Sequence, residues 1–334
     1  MYKRKINNIV KNYLKGRLRL AEFAITNCCI AKCSFCDIWK QKPKVITPKD
    51  DALFTIDRLA DFGVSQLTLT GGEPLLHPNV IDLIKRASRR NIVSAVLVAA
   101  PQLLIRKDMA SRLEDAGCDL VCISYDSGDP DIMAKSRQIA NIMDDMEKAM
   151  GALKKTGLKT MASVLIWNDN YNRLDEVCRS ASEIGFNVIS LNYPTFSESS
   201  IYTLGGEGIR MSREDLIQAL EDAIRLKKVH KYGIINPVLS MQNIISYLKD
   251  MKTAKFPCYG GNRVLFVDWF CNVHPCMQIE HVINDIWGLS EDDLRHPPCN
   301  KCNMSWYRDF STLFHGIKSV PVLFESISST GKLL

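Results

Sequence analysis

From residue 20 onward, short apolar runs alternate with longer stretches in which apolar residues recur every three or four positions. The runs at residues 20–25, 67–69, 92–98, 120–124, 161–166 and 188–191 read as strands, because continuous Val, Ile and Leu suit a sheet buried on both faces. Between them the spacing predicts helices over 48–62, 80–89, 108–116, 139–155 and 174–184, with another over 213–228. Thr47 before Pro48 predicts a helix start, the hydroxyl capping free N–H groups and proline fitting the first turn. Strand and helix alternating with short links imply a parallel sheet, open or curled into a barrel, with its working end at the carboxyl ends of the strands. Past residue 235 this rhythm is lost. Cys, Pro, Gly and aromatic residues gather between Phe256 and Phe310, which predicts a second lobe.

Residues 2–18 differ again, with Ile6, Ile9, Val10, Tyr13 and Leu14 at helical spacing and basic residues between them. Lys3, Arg4, Lys5, Lys11, Lys15, Arg17 and Arg19 all precede the first acid, Glu22, and these seven exceed the formal net charge of +6. The remainder is close to neutral, so no nucleic-acid partner is expected. Hydrophobic content of 46% with 24% charged residues over 334 positions excludes a disordered or collagen-like chain. No apolar run reaches the roughly 18–20 residues of a bilayer span, and the amino end lacks a secretory signature, so a cytoplasmic protein is expected. In that compartment twelve Cys predict metal or cluster ligation rather than disulfides.

Cys29, Cys33 and Cys36 form a C-x3-C-x2-C cluster directly after the first expected strand. Three thiolates leave one corner of a four-iron cube open, whereas structural zinc takes four closed ligands. Cys28 reads as a buried neighbour, since adjacent residues at a strand end point to opposite sides. Gly71, Gly72, Glu73 and Pro74 follow the second strand, where glycines admit a ligand to backbone carbonyls and Glu73 complements an ammonium group. These two motifs together resemble the cluster and cofactor loops of radical S-adenosylmethionine enzymes. The resemblance implies an α/β fold, a partial (β/α)6 TIM barrel, with a 4Fe–4S cluster on Cys29, Cys33 and Cys36. It implies an S-adenosylmethionine site formed by Phe35, Gly71, Gly72, Glu73, Pro74, Ser124, Asp126, Arg137 and Asn170, with Arg137 meeting the cofactor carboxylate and Asn168 and Asn170 near the adenosine. The implied activity is reductive cleavage to a 5′-deoxyadenosyl radical that removes hydrogen from an unactivated carbon. A low-potential donor, flavodoxin or ferredoxin, would supply the electron.

Cys258, Cys276, Cys299 and Cys302 have seventeen residues between the first pair and two between the last. They resemble the twitch module, a truncated SPASM domain whose hairpin and short helix hold an auxiliary 4Fe–4S cluster, here with a hairpin at 264–268 and 272–274. Cys271 stands where such modules carry glycine, which predicts an altered turn and a competing ligand. A zinc ribbon on the same four cysteines is the alternative. Cys118, Cys122 and Cys178 read as small buried hydrophobes. The expected domains are a leader at 1–19, the barrel at 20–235, the auxiliary cluster domain at 236–315 and a tail at 316–334.

The long loop at 192–202, with aromatics, hydroxyls and one acid at the catalytic face, suits a polar small molecule or a head group. The leader resembles that of radical enzymes acting on polycyclic or isoprenoid lipids. Contact of residues 1–18 with an anionic membrane surface therefore stands beside a helix packed on the barrel's bottom. The expected function is hydrogen abstraction from a small-molecule substrate, a sugar, cyclitol or lipid, with the auxiliary cluster assisting oxidation. A peptide-modifying enzyme, disfavoured by a leader too short for a peptide-recognition module, and a zinc-stabilised binding protein are the alternatives.

Overall fold

The chain is described by a computed structural model over residues 2–195, 211–229, 231–250, 256–300, 302–319 and 322. Six strands, β1 (Arg19–Ala24), β2 (Val64–Thr70), β3 (Val93–Val98), β4 (Leu120–Ser124), β5 (Lys159–Leu165) and β6 (Val188–Asn192), pair in parallel in sequence order. All six expected strands are present. On the free side of β1, β7 (Val264–Val267) adds in parallel, its residues opposite Leu20, Ala21, Glu22 and Phe23. Then β8 (Asn272–His274) and β9 (Asn284–Asp285) follow antiparallel. The expected hairpin thus exists, but its first strand extends the main sheet into nine strands, because the backbone edge of β1 is open to pairing.

The helices are α1 (Tyr2–Leu14), α2 (Lys49–Asp61), α3 (Val80–Arg89), α4 (Gln102–Ile105), α5 (Met109–Asp115) and α6 (Pro130–Arg137) in the first half. The second half holds α7 (Ile142–Leu153), α8 (Leu174–Ile184), α9 (Arg213–Lys228), α10 (Val238–Asp250) and α11 (Ser305–Ser311). The apolar stripes behave as read: in α3, Val80, Leu83, Ile84 and Ala87 are buried against the sheet. Four helices, α4, α6, α10 and α11, escaped the sequence reading. In α10 the buried face mixes Ser240 and Asn243 with Met241, Ile244 and Leu248, so the apolar stripe is interrupted. In α6 the start is set by local chemistry, with Asp129 accepting the N–H groups of Asp131 and Ile132 and Pro130 in the first turn. At α2 the expected cap fails: Thr47 Oγ1 donates to the Trp269 carbonyl at 2.9 Å, and the helix begins after Pro48 without a side-chain cap.

The amphipathic α1 lies across the amino ends of the strands. Lys5, 1% exposed, donates to the Gly117 carbonyl at 2.8 Å and pairs with Asp119 at 2.6 Å, just before β4. Asn8 reaches the Asn91 carbonyl before β3, and Asn12 donates to Ser65 Oγ at 2.8 Å in β2. This is the packed-helix arrangement weighed above. Among the described residues no helix is long and apolar enough to cross a membrane. The part of the 192–202 loop beyond residue 195 and nearly all of the expected tail lie outside the described residues.

Candidate active site

At the carboxyl end of β2 the backbone of Gly71–Glu73 supports the cysteine loop directly. Gly72 N–H donates to the Thr26 carbonyl and Glu73 N–H to the Cys28 carbonyl, both at 2.7 Å. Gly71 has φ of +133°, and a Cβ there would stand 2.2 Å from the Thr26 oxygen, while one at Gly72 would stand 2.1 Å from the Cys28 oxygen. The glycines are thus required by the approach of the cysteine loop itself. Glu73 is fully buried, and its carboxylate accepts from Leu75 N at 3.1 Å, Ala99 N at 2.8 Å and Ala100 N at 2.9 Å. Burial pushes its pKa up to about 7 against those three bonds. Its oxygens tie β2 to the end of β3. Pro74 opens the 3-10 turn of Pro74–Leu76.

The three thiols of the first motif converge beside this turn. Burial pushes Cys29 up to about 12 and Cys36 to about 11, and in each case the neighbouring thiols of the trio add to the shift. Opposing it, Cys29 accepts a hydrogen bond from the backbone of Ala31 and Cys36 from that of Ile38, two residues further on in each case. Cys33 is raised by burial and pulled back by Arg137, whose Nη1 lies 3.9 Å from its sulfur. Cys28 is half-buried and turns its thiol to the Val45 carbonyl at 3.9 Å, outside the trio. Among the described residues no three His, Cys, Asp or Glu side chains crowd one point closely enough for a single ion. Three thiol donors, one fewer than a closed zinc tetrahedron takes, suit a four-iron cube with one open corner.

Behind the trio, Arg137 grips Asp126 in a bidentate pair, Nε to Oδ2 at 2.8 Å and Nη2 to Oδ1 at 2.7 Å. The guanidinium carbon sits 4.9 Å from the centre of the Phe35 ring. Burial disfavours the Arg137 charge, but Asp126 more than compensates and raises its pKa. Asp126 also accepts from Ser136 Oγ at 2.7 Å and Leu165 N at 3.0 Å, so both oxygens are engaged within the protein. Asn170 is equally committed, donating to the Asp126 and Leu165 carbonyls at 2.8 Å each and accepting from Trp167 N at 2.8 Å. Asp126 and Asn170 therefore hold Arg137 and the ends of β4 and β5 in place, Asn168 is exposed, and Ser124 lies buried at the end of β4. Sequence reasoning missed Ser136, Ala99 and Ala100, and the last two act through backbone N–H groups that leave no side-chain signature.

The four later cysteines also meet. Cys258 and Cys299 face each other in a short antiparallel bridge, Cys302 is hydrogen-bonded to Cys299, and Cys276 feels both Cys258 and Cys299. Burial pushes Cys276 up to about 12. Cys258, Cys276 and Cys302 accept backbone N–H groups from Gly260, Gln278 and Met304, the same two-residue offset as in the first trio. Cys118 in the core shares that offset, so the pattern marks a ligand only where several thiols converge. Cys271 stands apart from the four: it adopts φ of +66°, the conformation a glycine would take in the β7–β8 turn, and its thiol contacts Thr55 of α2. It takes over the turn without joining the cysteine set.

The Radical SAM superfamily family model matches residues 23–181. The chain is 24% identical over 276 residues to a GTP 3′,8-cyclase of Alkaliphilus metalliredigens, covering 76% of this chain and 85% of that protein. It is 21% identical over 306 residues to a PqqA peptide cyclase of Gluconobacter oxydans, covering 83% and 80% respectively. Its fold resembles that of SuiB from Streptococcus suis bound to S-adenosylmethionine, with a TM-score of 0.64 and 16% identity over 86% of this chain and 68% of that one.

Proposed function

This chain is a radical SAM enzyme, a class that works with S-adenosylmethionine and a 4Fe–4S cluster, and we propose from that premise that Cys29, Cys33 and Cys36 hold the cluster and that a substrate is closed into a ring at the carboxyl ends of the strands. The observation that carries the reading is the convergence of exactly those three motif thiols beside the Gly71–Gly72 turn. When bound, the cluster and S-adenosylmethionine supply a 5′-deoxyadenosyl radical that takes a hydrogen atom from the substrate. The protein's part is to seat and shield them. The Gly71–Gly72 backbone anchors the cysteine loop, Phe35 and Arg137 wall the trio, and Asp126 with Asn170 keeps Arg137 from turning away. A low-potential donor provides the electron.

A second 4Fe–4S cluster on Cys258, Cys276, Cys299 and Cys302, able to accept an electron from the substrate radical, is part of the same proposal and is supported by the meeting of those thiols. Ring closure is the reaction named in both relatives, one acting on a nucleotide and one on a peptide. Neither is a sugar, cyclitol or lipid, so a nucleotide-like small molecule replaces those expectations as the first reading. A peptide substrate is the second, favoured by the likeness to the PqqA peptide cyclase. Anaerobic reconstitution should give about eight irons per chain, and reductant with S-adenosylmethionine alone should give slow 5′-deoxyadenosine release. Protein that holds zinc without iron and releases no 5′-deoxyadenosine sinks the proposal. Incubation with GTP deuterated on its ribose then separates the readings, since deuterium in 5′-deoxyadenosine supports the nucleotide.

A further inference from the structure

Arg308 lies on α11, six positions after Cys302, and is 3% exposed. Among the described residues none of its three guanidinium nitrogens has a hydrogen-bond partner. A guanidinium cannot shed its proton, and a buried one without an anion is among the costliest arrangements a fold can hold. Geometry sets Arg308 beside the quartet: Ser311, three residues further along the same face of α11, accepts from Tyr259 N at 2.8 Å, next to Cys258. The adjacent Asp309 feels the Arg308 charge but makes no hydrogen bond to it. Neighbours in a helix project in different directions, and Asp309 Oδ2 accepts from Asn236 Nδ2 at 2.7 Å. A permanent cation is therefore buried near the quartet, and among the described residues no carboxylate hydrogen-bonds to it.

A four-iron cluster on four thiolates carries net negative charge, and each electron it accepts adds one more. We infer that Arg308 is the counter-cation of the site formed by Cys258, Cys276, Cys299 and Cys302, a positioning residue that stabilises the reduced cluster and so raises its reduction potential. This rests on the second-cluster reading above.

Wild type, R308Q and R308K are reconstituted anaerobically, their iron is counted, and both clusters are titrated with dithionite under EPR. About eight irons are expected in all three. In R308Q the auxiliary cluster's reduced-to-oxidised ratio at a fixed potential should fall at least tenfold, about 59 mV for one electron. R308K should recover most of that shift, and the N-terminal cluster should not move in either variant. Loss of four irons from R308Q but not from R308K supports the inference equally. Eight irons with an unmoved auxiliary potential in R308Q overturns it while the second cluster stands, even if KM rises, since that result assigns Arg308 to substrate. Loss of four irons from both variants also overturns it, making Arg308 a packing residue. Four irons in the wild type would instead bring down the second-cluster reading, and this inference with it.

Discussion

A single methyl group tests how the cysteine loop is seated. Because a Cβ at Gly72 would stand 2.1 Å from the Cys28 carbonyl, G72A must lift the loop from the end of β2. Reconstituted G72A is expected to bind about four irons fewer per chain than wild type with its far-UV circular dichroism intact. Glu22, on the strand before the loop, accepts from Tyr307 Oη at 3.1 Å, and burial raises its pKa from 4.5 to about 7. The unfolded chain loses this proton near 4.5, so between about pH 4.5 and 7 the folded state binds more protons and stability falls as pH rises. E22Q should flatten the slope, removing roughly 2 kcal/mol of the stability difference between pH 5 and pH 7 in urea unfolding. At this scale the sequence identified where chemistry gathers, but not what each group touches. Glu73, Asp126 and Asn170 read as cofactor contacts, and each is also held by backbone or side-chain partners that fold onto it from other strands and loops.

Among the elements, α1 shows how composition misleads when tertiary contacts are unknown. Its charges suggested an anionic surface, yet Lys5 is spent on Asp119 and the Gly117 carbonyl beneath the barrel. K5M, which keeps the apolar stem and deletes the charge, should destabilise the fold by about 3 kcal/mol in chemical denaturation by leaving Asp119 uncompensated. Val10, Tyr13 and Leu14 remain exposed on the same helix. Strand periodicity and the stripes of α3, α8 and α9 were legible because a buried face forces apolar spacing on the sequence. The face of α10 was not, since buried Ser240 and Asn243 interrupt it.

For the whole molecule, the two cysteine sets make separable predictions. C33A should abolish 5′-deoxyadenosine release even without substrate, whereas C276A should leave that uncoupled release within about threefold of wild type and stop turnover. Product chromatography of both variants checks this, and equal loss in the two would mean the sets share one role. What the sequence determined alone was the parallel sheet, the trio of Cys29, Cys33 and Cys36 and the later quartet, because hydrophobic period and ligand spacing are local properties of a chain. Only the tertiary structure decided that β7 joins the barrel's own sheet, that Cys271 occupies the β7–β8 turn, and that Arg308 is buried, among the described residues, without a hydrogen-bond partner. These depend on which distant backbones pack together, and on the charges left uncompensated when they do.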